Sequence, residues 1–597
     1  MQLNKIFVKI VLTTILLLSL NFHFIPVTGQ DLITSDDITK GASVFVFRES
    51  KKKPQVKMSS KKTYVSARSN KRAASKRKNS QIASVRKRKT NAKSSPTIRK
   101  NTKITLSNTL TAKADKLMET NQTDPAIEAY REALKNNPKN ENASQGLSDA
   151  LTAKGIQTAG DANNENAVPI FTEALKYDDK NGVAYANLGE IHFAKQRNEQ
   201  AIINYEKAVA ANPDLTEIYA PLGLAYVDAG DISKAEIQLS KADGVNKSEV
   251  ETEYLRGLIF YKQNKNNEAL AAFNKTIALD PENVLAHYYQ AAVYDRLNQR
   301  ENSVAAYKKT TEIDPGFAPA YFDLGVTYYN EGEYDHAAGA YKQTVKIENG
   351  NSEAHANLAS THRQQEKFVE ANNEYKVAAE GIKNDADLYS EWGYCLGKVN
   401  EWDKAVERLE TAEDIKPDES VYTNIGWAHY NAGQTDEKNK KETEAHDDYE
   451  KSKVALQKAV EINPQYAAAR LNLGSTHNAL GEHQEAVNSL NQAVSLKSDW
   501  VIAINELGLA FRGLDDLAQA VVQFQRVTNL DNNFALGFYN LGETEYKRGN
   551  KKEAKKAQQR LKILNPAMAQ RLESVIAGKL IEAGKQKIRN KLPKIPF

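Results

Sequence analysis

The feature that most constrains this chain is a period of 34 residues, plainest from Tyr185 to Pro213. With Tyr185 taken as position 4 of a frame, Leu188 is position 7, Gly189 is 8, Ala201 is 20, Tyr205 is 24, Ala208 is 27 and Pro213 is 32. Steps of 34 from Gly189 reach Gly223, Gly257, Ala291, Gly325, Ala359 and Gly393, all small residues. A repeat of this length is one supersecondary unit that cannot bury its apolar face alone. The 597 residues therefore need not divide into several globular cores, because a stack of such units grows in one dimension.

Each position has a physical reason. Position 8 is Gly in nine of thirteen repeats and Ala114, Ser148, Ala291 or Ala359 in the rest. Gly within a helix costs roughly 1 kcal/mol against Ala. Its recurrence implies close packing between the two helices of a hairpin. Position 20 is Ala in eleven repeats and Ser303 or Ser452 in two, which suits the same crossing. Position 24 carries a bulky filler, Tyr130, Phe171, Tyr205 or Phe273 for example, and becomes Gln558 in the last repeat. Pro at position 32 occurs seven times and ends the second helix. The frame fails twice. The second repeat is seven residues longer than the frame allows, over GIQTAGDANNEN, read as a looser inter-helix loop. The hairpin that contains Gly426 is 14 residues longer than the frame allows, over QTDEKNKKETEAHDDYEKS. Fourteen residues are about four helical turns, which preserves facing, so both helices are expected to lengthen into a charged spur.

These residues resemble the tetratricopeptide repeat, with its W-x2-L-G-x2-Y, A-x3-F, A and P pattern, over roughly four-fifths of the chain. The resemblance implies an all-α solenoid, a right-handed superhelix of about thirteen helix-turn-helix repeats. The array is expected over 106–566, with helix A of the first repeat near 110–120. After it, 567–597 reads as a capping helix with apolar spacing at Leu572, Val575, Ile576 and Leu580, then a basic tail.

The N-terminal region has a different character. Residues 1–29 read as a secretory signal: Lys5 and Lys9, an apolar run from Ile10 to Leu20, then small residues before Gln30. The rival is an uncleaved anchor, since Phe22, Phe24 and Ile25 prolong the apolar run. Either reading places the array outside the cytoplasm, periplasmic or secreted, and no later segment is apolar enough to span a membrane. Residues 30–105 form a basic Lys/Arg/Ser-rich arm with one strand-like run, Ser43-Val44-Phe45-Val46-Phe47. Its composition is that of a disordered segment. From Lys40 to Lys103 there are 22 basic residues against Glu49, a charge of +21, while 104–597 carries −15. An anionic surface reached through residues 40–103, or the acidic array itself, suits that asymmetry. Nucleic acid is disfavoured: Tyr64 is the only aromatic among the bases, too few for stacking.

Signs of chemistry are absent. There is no HExxH, GxSxG, P-loop or Rossmann fingerprint. The chain is therefore read as a non-enzyme with no cofactor and no metal. Cys395, the sole cysteine, reads as a small buried apolar residue. His192, His362, His429 and His477 share position 11, and His287 and His355 share position 4, both aromatic slots in the repeat. They are read as packing substitutes.

What recurs instead is a polar residue at position 6 of helix A: Asn187, Asp323, Asn357, Glu391, Asn424, Asn472, Glu506 and Asn540. In the repeat family helix A lines the concave groove, and related sugar-transferase arrays carry an asparagine ladder there. An amide both donates and accepts, so it can hold a peptide main chain without reading its sequence. Pro221, Leu255 and Tyr289 break the ladder in the N-terminal half. The Lys/Asn clamp for C-terminal carboxylates is missing where sampled: Ala186, Ala356 and Leu471 at position 5, with Glu190, Ser360 and Ser475 at position 9. The expected function is a protein-interaction scaffold gripping an extended segment of a protein or peptide partner. The alternatives are an envelope-organising protein tethered by its arm, or an adaptor that its arm inhibits.

Overall fold

The computed structural model describes residues 43–44, 98–160, 165–245 and 250–578. The expected signal, nearly all of the basic arm, Leu580 and the tail lie outside them. The chain divides into two compact units, Val56–Glu348 and Met1–Gln55 with Asn349–Phe597. In each, the described residues form antiparallel helix pairs stacked in chain order, with no strand.

One pair stands for the ordinary hairpin: helix A Val284–Arg296 and helix B Arg300–Ile313, of 13 and 14 residues. Helix A starts where the Asn283 side chain accepts the Ala286 N–H at 3.0 Å, a cap that satisfies one orphan donor. The same cap recurs at Asn140, Asn181 and Asn351. The turn between helices needs one left-handed residue. Asn298 supplies it here (φ 54°), and Gly332 supplies it one repeat later (φ 76°). Asn and Gly are the residues that tolerate this region at least cost.

Seven of the nine position-8 glycines face the position-24 side chain, while Gly223 faces Leu255 and Gly542 faces Leu572. A Cβ on Gly189 would lie 2.6 Å from the Tyr205 ring, and one on Gly508 2.6 Å from Phe524. Phe171, Tyr205, Phe273, Tyr341 and Phe524 are all buried, as is every position-20 Ala. Each such aromatic contributes roughly 1.5–3 kcal/mol by burial, which offsets the helical glycine. The buried serine at position 20 of the long hairpin adds a polar link: Ser452 Oγ donates to the Gly426 carbonyl at 2.8 Å.

The histidines do more than pack. At position 4, the His287 ring donates to the Pro281 carbonyl at 3.2 Å and the His355 ring to the Asn349 carbonyl at 3.1 Å. Tyr219 and Arg470, also at position 4, make the same reach to Pro213 and Pro464. Position 4 therefore anchors helix A to the preceding turn through a polar tip. At position 11, His429 pairs with Asp448 at 3.1 Å and His477 with Glu482 at 2.6 Å. Cys395 is fully buried, and burial pushes its thiol well up.

Three sequence expectations need correction. The first helix runs Ile98–Glu119, so it begins inside the stretch assigned to the arm and well before residue 110. No Pro or Gly stands between Pro96 and Pro125, so nothing within that stretch breaks the helix on the C-terminal side of Pro96. The GIQTA part of the second-repeat insert is helical, not loop: helix A there is Glu141–Ala159, 19 residues. The reason is packing, because Gly155 rather than Ser148 now faces Phe171, 2.6 Å from a notional Cβ. Ser43 and Val44 belong to no strand; they lie against the array, as described below.

The long hairpin has helices Glu419–Lys438 and Glu442–Ile462, 20 and 21 residues. Each helix gains about two turns over an ordinary repeat. The addition duplicates the crossing: Gly426 faces Leu456, and Gly433 faces Tyr449. Excising residues 432–438 and 442–448 together should therefore restore an ordinary hairpin. Circular dichroism and thermal melting of that deletion are expected to show a folded array whose midpoint moves by only a few degrees. Loss of the cooperative transition would mean that the spur carries the fold.

The last helix, Pro566–Ile576, covers the final repeat. Its Leu572 is fully buried and lies 2.5 Å from where a Gly542 Cβ would stand.

Candidate peptide-binding groove

Successive A helices carry the position-6 residues in a row. In the unit that contains Asn349–Phe597, Asn424, Asn472, Glu506 and Asn540 sit on adjacent A helices and are all buried. Glu391 and Asn357 continue the row and are half-buried. Asn187 and Asp323 belong to the other unit.

The row is not a set of equivalent amides. Asn187 turns back on its own helix, donating to the Val183 carbonyl at 2.8 Å. Glu391 accepts from Tyr375 Oη at 2.5 Å and Ser360 Oγ at 2.8 Å, with the Arg363 guanidinium 3.4 Å away. Asn540 Nδ2 donates to Asn505 Oδ1 at 2.9 Å. Glu506 accepts from Asn478 Nδ2 at 3.3 Å, and burial pushes its carboxyl up to about 7. Asp323 accepts from Tyr288 Oη at 2.7 Å and is likewise pushed up to about 7, by burial first and by the Asp295 charge. In both carboxylates desolvation outweighs the hydrogen bonds that favour the ionised form.

Asn472 holds a segment from elsewhere in the chain. Its Oδ1 accepts the Val44 N–H at 2.7 Å, and its Nδ2 donates to the Val44 carbonyl at 2.8 Å. One amide thus satisfies both main-chain groups of one residue, as a neighbouring strand would. Asn472 stands on helix Ala467–Leu480 and is fully buried, and its main-chain carbonyl accepts from Thr476 Oγ1 at 2.9 Å. Val44 is 3% exposed and shares an apolar cluster with Ala468, Leu471, Ile504 and Leu507.

A second amide completes the grip. Asn431 Nδ2 donates to Ser43 Oγ at 3.0 Å and to the Trp427 carbonyl at 2.7 Å. Sequence reasoning missed Asn431, because it stands outside position 6 of the regular frame. A signal existed: Asn424-Ile425-Gly426 recurs seven residues on as Asn431-Ala432-Gly433. In the register of Gly433, Asn431 is position 6.

Among the described residues no cluster of His, Cys, Asp or Glu could hold a metal ion, and no helix is long and apolar enough to cross a membrane.

Comparison with known families matches two repeat models. One, described as TPR repeat, matches residues 189–230 and 257–298; the other, described as tetratricopeptide repeat, matches 108–140, 318–351 and 467–499. No curated protein matches the chain. Solved structures do. The crystal structure of MamA is 29% identical over 27% of this chain and 95% of its own, with a TM-score of 0.24. YrrB, described as a TPR protein with an unusual peptide-binding site, is 24% identical over 34% of this chain and 97% of its own, with a TM-score of 0.29. The Cut9–Hcn1 hetero-tetramer of APC/C matches 75% of this chain and 96% of its own at 14% identity, with a TM-score of 0.35.

Proposed function

The chain is a tetratricopeptide-repeat protein, an interaction scaffold by its repeats, and from that premise we propose that its A-helix row binds an extended segment of a partner protein. The observation that carries this reading is the pair of hydrogen bonds between the Asn472 amide and both main-chain groups of Val44. A surface that accepts the main chain of one extended residue, and buries its side chain, has the chemistry to accept a partner's residue in the same way. The grip is made of neutral amides, so it reads conformation more than sequence. Buried Asn424 on the preceding A helix, and Asn540 two A helices further on, extend the candidate row. We further infer that the scaffold works without catalysis and acts outside the cytoplasm, the latter on the strength of the signal-like segment 1–29 alone.

Asn424→Ala combined with Asn472→Ala is expected to reduce partner capture at least tenfold in an affinity pull-down from native extract, read by mass spectrometry. The circular dichroism spectrum should stay unchanged. Undiminished capture by the folded double variant would remove the groove from the function.

A further inference from the structure

Ser43 and Val44 stand out from the rest of the molecule. They precede the first described helix by 53 residues of chain, 45–97, yet their burial matches that of core residues, at 4% and 3% exposure. Their contacts are those of a ligand. Asn472 takes both main-chain groups of Val44, Asn431 takes the Ser43 hydroxyl, and the Val44 side chain joins Ala468, Leu471 and Ile504.

We propose that Ser43–Val44 is a tethered occupant of the Asn431–Asn472 peptide site, and that a partner's extended segment engages this site by displacing it. The proposal rests on the groove reading above and names what competes for it.

Three observations support a competitor over a permanent part of the fold. First, part of the site is built without the segment: the Trp427 carbonyl orients the Asn431 amide, and Asn472 stands on the regular helix Ala467–Leu480. Second, the described link is small. It comprises three hydrogen bonds and one buried Val, against the fully buried aromatics that hold each hairpin. A net hydrogen bond is worth ~0.5–1.5 kcal/mol, and a buried Val roughly 1.5–3 kcal/mol before the entropy of ordering the chain. Third, the connection makes it effective. A segment on the same chain competes at an effective concentration on the order of millimolar, which a separate peptide reaches only by mass. Fifty-three residues span at most roughly 180 Å, so length does not prevent release and return.

The chemistry of the contact also separates this device from charge attraction between arm and array. The described contact is made by neutral amide, hydroxyl, main-chain and aliphatic groups. Salt screens exposed charges and leaves buried neutral hydrogen bonds largely unaffected.

The test uses the full chain and a fluorescein-labelled peptide of residues 41–50, GASVFVFRES, with binding read by fluorescence anisotropy at 50 and 500 mM NaCl. Val44→Asp places a carboxylate where only apolar side chains lie and should vacate the site without touching the array. That variant is expected to bind the peptide at least tenfold more tightly than the wild-type chain, at both salt concentrations. Adding Asn472→Ala, or in a separate variant Asn431→Ala, should reduce that gain at least fivefold. Equal binding by wild type and Val44→Asp would overturn the proposal. So would a gain that survives both amide substitutions or appears only at low salt. Wild-type masking that weakens on dilution of the protein would assign the occupant to a second copy and overturn the tethered gate. Failure of these arms leaves the pull-down result for Asn424 and Asn472 standing, so the gate and the groove fail separately.

Discussion

Phe524→Ala is expected to open one hairpin and leave the others closed. Phe524 is fully buried on helix Leu517–Leu530, and its ring lies 2.6 Å from where a Gly508 Cβ would stand. Gly508 has no side chain to move into the space left by the ring. Truncating such a Phe typically costs about 3–5 kcal/mol, transfer and cavity terms together. In a linear stack that loss falls on the repeat and its immediate neighbours. Hydrogen exchange followed by mass spectrometry should show at least hundredfold faster exchange in helices Val501–Gly513 and Leu517–Leu530, since about 1.4 kcal/mol corresponds to a factor of ten. Helices such as Val284–Arg296 should exchange as before. Uniform acceleration along the chain would contradict the repeat-by-repeat account, and so would no change at all.

Asp323→Asn is expected to stabilise the protein at alkaline pH and do little near pH 4. Asp323 is buried, and its carboxyl is pushed up to about 7 by desolvation. Its surroundings include the Tyr288 hydroxyl and Asp295, whose own carboxyl burial also raises. A carboxyl whose folded value lies above its unfolded value binds its proton more tightly when folded. The stability from that proton is complete below the ordinary carboxylate range and is lost as pH rises through about 7. An amide cannot ionise, yet still accepts the Tyr288 hydroxyl. Holding a proton from the ordinary range up to neutrality is worth on the order of 4 kcal/mol, an upper figure for a site that water can partly relax. Thermal melts at pH 5 and pH 8 check this: the wild-type midpoint should fall between them more than that of Asp323→Asn. Parallel falls would mean that the carboxylate is solvated at pH 8.

The hairpins were legible because their signal is steric and local. Gly189 and Tyr205 stand sixteen residues apart in the sequence and touch in the fold, and the same spacing recurs at Gly257 with Phe273 and at Gly508 with Phe524. The fillers, the alanines and the lengthened hairpin after Gly426 followed from that. The residues at position 6 could be named by spacing, but not their partners. Asn187 bonds its own helix and Asn540 bonds Asn505, because a helix-face amide takes whichever neighbour the inter-helix geometry offers. Position 4 looked aromatic, and its hydrogen bonds to the preceding turn appeared only with coordinates. Ser43 and Val44 were legible only as a strand-like run. A contact across 428 residues of sequence leaves no periodic trace. Asn431 could have been found, since the Asn-x-Gly triplet repeats seven residues apart.

The two lengthened hairpins follow one rule of chain growth. Seven residues turn an α-helix through nearly two full revolutions, with a drift of about 20°. An insertion of seven therefore returns every side chain to its former bearing, and Gly155 can stand in for Ser148 as Gly433 doubles Gly426. An insertion of five would swing the face by about 140°, turning buried alanines outward. For the three lengthened helices, Glu141–Ala159, Glu419–Lys438 and Glu442–Ile462, seven residues act as a quantum of length, much as three nucleotides do for a coding sequence. Growth in that quantum also repeated the amide that now holds Ser43.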